Sequence, residues 1–189
     1  MKILNPVKYF QDKPLLLLNL FLMVIGVVIA IKSSVRFDGV LDLHFIPIAN
    51  ATKTVTDVLI NVVTLSIVFF LFGRIVNPKT RLIDCLNVAF ISRVPFYILS
   101  ALNSTGQMYS WSNYLTNKIL KNQLDFSSSE ITILILLALS GLAALILSVL
   151  LLFNGFKTAT NAKTTKHYIL FVVALIVSEI ISAIILKNL

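Results

Sequence analysis

Five stretches of this chain are each long and apolar enough to lie in the hydrocarbon of a bilayer, and too little sequence separates them to build a soluble domain. A helix needs about 20 mostly apolar residues to cross about 30 Å of hydrocarbon. Residues 14–31, 131–153 and 168–186 reach that length with Asn19, Glu179 and a few Ser or Gly as their interruptions. Residues 55–76 carry Asp57 and Asn61 near their start, and residues 82–102 carry Asp84, Asn87, Arg93 and Pro95. The expected fold is therefore all-α, a polytopic membrane protein forming a single domain over residues 1–189. Composition agrees, since 58% of the residues are hydrophobic and 13% are charged, about half the charged share of an ordinary soluble domain. The first apolar run is long and lacks a small-residue cleavage site after it, so it reads as an anchor and not as a cleaved signal.

With 16 Lys and Arg against 8 Asp and Glu, the chain has a net charge of +8. No Lys/Arg block with interleaved aromatics is long enough to track a phosphate backbone, so nucleic acid is not an expected partner. The cations instead border the apolar runs, where they set orientation and meet anionic headgroups of the bilayer. With five spans and the N-terminus inside, Lys2, Lys8, Lys13, Arg74, Lys79, Arg81, Lys157, Lys163 and Lys166 lie on the inner side. Lys32, Arg36, Lys53, Lys118, Lys121 and Lys187 then lie on the outer side. If residues 82–102 did not cross, Lys187 would move inside, and the inner side would keep its excess. Charge alone leaves four and five spans undecided.

The connections have patterns of their own. Asn5 before Pro6 reads as an N-cap and first helical position, with Ile3, Val7 and Phe10 on one face of a short surface helix. Met108, Trp111, Leu115 and Ile119 recur at helical spacing among polar residues, which predicts an amphipathic interfacial helix with aromatic anchors; a polar loop with some aromatics is the alternative. Residues 41–45 alternate in polarity and fit either a strand or a segment hugging the interface. Ser127 to Glu130 reads as the cap of the fourth span. Asn50 to Thr52 and Asn103 to Thr105 match the N-glycosylation pattern.

The run Phe72, Gly73, Arg74, Ile75, Val76, Asn77, Pro78, Lys79, Thr80, Arg81, followed by 82–95, resembles the most recognisable part of the Yip-domain (Ypt-interacting protein) family. There a span ends in a short Gly- and Lys-containing turn, and the next span opens with an amphipathic segment and carries a Pro near its middle. The element Asn5, Pro6, Val7, Lys8, Tyr9, Phe10 and the stretch Phe153, Asn154, Gly155, Phe156, Lys157, leading through a short basic loop into the last span, agree with it. The likeness covers nearly the whole chain and is to the compact bacterial form. It implies five spans, a cytoplasmic N-terminus, a C-terminus on the far side, and placement in a cell membrane, the inner one if the chain is bacterial. Eukaryotic members are associated with trafficking, Rab-type GTPases and membrane shaping. They carry a sizeable cytoplasmic N-terminal region, whereas 13 residues precede Pro14 here, so small-GTPase binding is not carried over.

Chemistry is then sought inside the spans, because an ionisable group in lipid is costly and usually faces a partner or a cavity. Arg93 and Glu179 each lie about 16 Å into their spans, and in the five-span topology they share one depth. They are a candidate intramembrane ion pair, with Pro95 as a candidate helix break. The alternative has Arg93 snorkelling or lining water and Glu179 protonated or bonded to a neighbouring helix. Small residues at Ala138, Gly141, Ala144 and Ser148, and at Ala174, Ser178 and Ser182, permit close helix packing. The lone Cys85 fits a small core residue, and His44 and His167 fall on opposite sides, leaving no metal set. No catalytic constellation or cofactor motif can be assembled, so no enzyme is expected. The expected role is a membrane-organising, trafficking-like or partner-binding component, working with a membrane protein or with further copies of itself. The alternative is a small ion- or solute-coupled transporter or channel built on Arg93 and Glu179.

Overall fold

The computed structural model describes residues 4–123 and 125–189. Its elements in chain order are α1 (Pro6–Tyr9), α2 (Asp12–Lys32), β1 (Val35–Arg36), β2 (His44–Phe45), α3 (Ala51–Val76), α4 (Leu82–Ile91), α5 (Val94–Ala101), α6 (Gln107–Leu120), α7 (Ser128–Thr160) and α8 (Thr165–Lys187). Five helical segments among the described residues are long and apolar enough to cross a membrane: α2, α3, α4 with α5, α7 and α8. The five expected spans are thus all present, with ends displaced by a few residues except at α7.

That helix continues seven residues beyond the expected end at Phe153. On this added stretch the side chains of Asn154 and Thr158 hold Leu4 and Asn5: Asn154 donates to the Leu4 carbonyl at 3.1 Å, and Asn5 donates to Thr158 Oγ1 at 2.9 Å. The expected basic loop therefore shrinks to four residues after Thr160, and the helix stops where Asn161 turns left-handed, with φ 53°. Asn5 itself makes no side-chain cap on α1, contrary to expectation, because its amide is engaged with α7. Ile3, read onto the face of that short helix, and Lys2, counted among the inner cations, lie outside the described residues. The cap expected over Ser127 to Glu130 is a full capping box.

The spans pack with α3 against α8 and α4, and with α7 against α4 and α5. Phe69, Phe156 and Phe171 meet edge to face or tilted, with ring centroids 5.1 to 5.8 Å apart, and form the centre of the core towards the α1 end. At the opposite end β1 and β2 pair antiparallel, Val35 opposite Phe45 and Arg36 opposite His44. Residues 41–43 of the alternating patch lie outside those strands, within the tip that joins them. The third span is broken as expected, but at Ser92 and Arg93. Pro95 sits in the first turn of α5, where its missing N–H has no intrahelical partner to lose.

Where α4 crosses α7 the packing leaves no room for a side chain on Gly155. A Cβ on Gly155 would stand 2.6 and 2.8 Å from the two methyl carbons of Val88, whereas one on Gly141 of the same helix would meet nothing within 4 Å. Alanine favours a helix interior over glycine by about 1 kcal/mol, and overpacking costs about 1–3 kcal/mol. Gly141→Ala is expected to hold or raise the melting temperature of the purified protein, and Gly155→Ala to lower it by several degrees, read by fluorescence-detected gel filtration after heating.

Candidate functional site

Between α2 and α3 the chain does not pass over the end of the bundle but dips into it. Val35, Phe37 and Val40 are almost wholly buried, packed among α2, α3, α5 and α8. Arg93 and Glu179 each lie eight residues before the end of their helix, about 12 Å below it at 1.5 Å per residue. Both reach the tip of this hairpin, so the backbone there runs well inside the apolar part of the bundle.

Irregular backbone in such surroundings needs a partner for its peptide groups, since each one left bare costs several kcal/mol. The hairpin receives them from four different elements. Asn103, after α5, donates to the Ser33 carbonyl at 2.7 Å, and Asn61 on α3 donates to the Phe37 carbonyl at 2.9 Å. Arg93 donates through Nη1 to the carbonyl of Gly39 at 3.2 Å and also to that of Val40. Glu179 accepts the Leu41 N–H through Oε2 at 2.7 Å. Arg93 and Glu179 thus meet across the peptide units of residues 39–41 and do not form a direct salt bridge. The cation takes carbonyl oxygens and the carboxylate takes an amide hydrogen, so each charge matches one end of the backbone dipole.

The guanidinium is also flanked by rings, 4.9 Å from the Phe37 centroid and 5.2 Å from that of Phe96, and Phe37 stands edge-on to Tyr97 at 5.9 Å. Arg93 is fully buried. Its Nε and Nη2 and the Tyr97 hydroxyl, one turn along, find no acceptor among the described residues. Gly26 admits the Tyr97 ring, since a Cβ there would fall 2.2 Å from it. Glycine is fixed at the tip too, as a Cβ on Gly39 would lie 2.1 Å from a carboxylate oxygen of Glu179.

Towards the end of the bundle the hairpin is held by charge. Arg36 forks onto Asp57, Nε to Oδ2 at 3.0 Å and Nη2 to Oδ1 at 2.9 Å, a geometry that raises the Arg36 pKa above its usual value. His44 contacts Asp38 across the hairpin, and partial burial pushes the Asp38 pKa up from its ordinary value. Asp57 and Asn61, one turn apart on α3, were legible as lone polar positions in a span, but not as hairpin ligands. Asn103 carried a different signal, the glycosylation pattern. It is 1% exposed, with both ends of its amide engaged by Ser33 and the Tyr109 N–H, so it has no room for a glycan.

The expected interfacial helix is α6. Leu115 is buried against the bundle, while Trp111 and Ile119 are exposed and Met108 is half-buried. Leu115 is therefore a packing residue, and the face meant for lipid is carried by Trp111, Ile119 and the off-stripe Tyr114 and Leu120. Tyr114 and Lys118 bind Glu130 of α7 at 2.6 and 3.0 Å, which ties α6 to the start of α7.

No protein-family model, curated protein or solved structure matches the chain. The fold defines a class, a helical protein with the five apolar spans of a multi-pass membrane protein, and the hairpin clasp is its most built polar feature.

Reversing both charges distinguishes a backbone clasp from a direct pair. Arg93→Glu or Glu179→Arg alone is expected to cost about 3 kcal/mol or more by leaving a buried charge uncompensated. The double reversal would set a carboxylate against carbonyls and a cation against an amide hydrogen, so it is expected to fold no better than either single change in a detergent unfolding assay. Rescue by the double reversal would instead establish direct pairing.

Proposed function

We propose that this protein is a non-enzymatic, membrane-organising component of Yip-domain type, acting through contacts in the bilayer and at its surface. The observation that carries this reading is the α6–α7 unit. Over residues 131–143 α7 has no buried residue and leaves Ile131, Leu134, Ile135, Leu136, Leu139 and Leu142 exposed. Across its start lies an amphipathic helix with Trp111 and Tyr114 in edge-on contact. A broad apolar flank below an aromatic-anchored surface helix places bulk in one leaflet's headgroup zone without matching bulk opposite, the asymmetry that bends or thins a bilayer. The cytoplasmic N-terminus, the far-side C-terminus and residence in a cell membrane belong to this reading, as does a protein partner or further copies of the chain.

The test is reconstitution of the purified protein into large vesicles with size and shape read by electron microscopy. Wild type is expected to tubulate or shrink them, and Trp111→Ser with Ile119→Ser to abolish the effect while leaving the fold intact. Unchanged vesicles at high protein density would overturn the reading.

A second reading is favoured by one observation, the unused donors of Arg93 and Tyr97 beneath a hairpin that reaches them from one side of the bundle. A solute- or ion-coupled transporter would use Arg93 and Glu179 at such a place. Flux through proteoliposomes, lost in Tyr97→Phe, would favour it over the first.

A further inference from the structure

Two hollows flank α7, one of mixed character and one apolar. The mixed one is an open cleft of about 630 Å³ between α6 and the start of α7, bordered by Trp111, Tyr114, Lys118, Asp125, Ser129 and Glu130. The apolar one is a groove of about 240 Å³ between α5 and α7, walled by Pro95, Ile98, Leu102, Ser140, Ala143 and Leu147 among others. Ser129 of the cleft and Leu147 of the groove are separated by five whole turns of α7, and Ser129 and Ser140 by about three, so both hollows open on one face of the helix. At 1.5 Å per residue the groove lies about 16 to 27 Å along the axis from the cleft. The depth of one leaflet with its headgroup layer, about 20 to 22 Å, falls within that range.

The charges of the cleft decide which headgroup fits. Lys118 is spent: its ammonium bonds both carboxylate oxygens of Glu130 and the Asp125 carbonyl at 2.8 to 3.1 Å and lies 5.1 Å from the Phe126 ring. Glu130 is spent as well, accepting from Tyr114, Lys118 and Ser127. The Asp125 carboxylate makes no ion pair among the described residues, which leaves the lining one negative charge in excess in a chain whose net charge is +8. Trp111 and Tyr114 meet at 89°, giving two ring walls at right angles. A free carboxylate beside aromatic walls suits an ammonium group, whose charge the carboxylate offsets and the ring faces attract.

We infer that α5, α6 and α7 form a binding site for one phospholipid with an ammonium headgroup, its amine or choline in the Trp111, Tyr114 and Asp125 cleft and one acyl chain in the groove along Ser140, Ala143 and Leu147. The site opposes the pull of the Lys- and Arg-rich connections, which favour anionic lipid at the surface generally. It goes beyond the membrane-organising reading and does not require the protein to reshape vesicles.

The experiment is native mass spectrometry of the full-length protein released from micelles doped with phosphatidylethanolamine, phosphatidylcholine or phosphatidylglycerol of identical chains. The expected result is one lipid retained per chain, with the two ammonium lipids held several-fold over phosphatidylglycerol. Asp125→Asn, at an exposed position, is expected to bring the three lipids to parity, and Ala143→Phe, which fills the groove from an exposed position, to lower retention of all three. Equal retention of phosphatidylglycerol by the wild type, no retained lipid, a preference untouched by Asp125→Asn, or a dimer that excludes lipid would each overturn the proposal.

Discussion

A stretch of non-helical backbone surrounded by apolar side chains has to borrow hydrogen-bond partners from elsewhere, and the arrangement of this bundle follows from how residues 33–41 borrow theirs. The lenders are Asn61 on α3, Arg93 between α4 and α5, Asn103 beyond α5, and Glu179 on α8. Each bond fixes one helix relative to the hairpin, and together they fix the helices relative to one another. Formal charges are suited to this task, because a hydrogen bond with an ionised donor or acceptor is about twice as strong as a neutral one. The peptide unit between them carries a partial charge of the right sign towards each. Arg93 and Glu179 therefore stabilise the same few backbone atoms from two sides, and their mutual attraction acts through the dipole they share.

The break in the third span belongs to the same constraint. An unbroken helix over residues 82–101 would bury its backbone amides and carbonyls in its own ladder. Pausing at Ser92 and Arg93 lets α4 lie against α3 and α7 while α5 lies against α2 and α7. Ser92 closes the turn by donating to the Ala89 carbonyl at 2.8 Å. Arg93, as the residue before α5, sits at the corner from which its side chain reaches the hairpin. The polar residues that make this span the least hydrophobic of the five are thus accounted for by contacts. Asp84 pairs with Arg81, Asn87 with Asn19, and Arg93 with the hairpin.

Much of this was legible in the sequence, and the rest failed for identifiable reasons. The five apolar runs, the helical character of residues 108–119 and the cap at Ser127 are properties of local spacing, which a single chain displays directly, whereas charge left the crossing of residues 82–102 open. The equal depth of Arg93 and Glu179 was legible from counting, but their separation by a peptide unit was not. That depends on a loop 54 residues before Arg93 folding inward, and a loop of mixed polarity such as residues 32–54 reads equally well as a surface segment. Leu115 illustrates a second limit. Periodicity placed it on the apolar stripe of α6 correctly, yet whether a stripe residue meets protein or lipid is set by the neighbour, here α7. Asn103 illustrates a third, since a three-residue pattern contains no information about burial.

The length of α7 shows what remains to be supplied from outside the chain. Its 33 residues make about 50 Å of helix, against the roughly 30 Å of hydrocarbon that a span must cross. At one end the excess is used by protein, because Asn154 and Thr158 turn the last seven residues into a docking surface for the start of the chain. At the other end α6 ties down the first turn through Glu130, but residues 131–143 contain no buried position. An apolar helix half with so little protein against it needs an apolar surrounding in the place of protein, and in a bilayer there is no hydrophobic gain in covering it with a further helix. The chain thus ends its own packing one layer short on the α5–α6–α7 flank, whereas on the hairpin side its polar side chains close onto its own backbone.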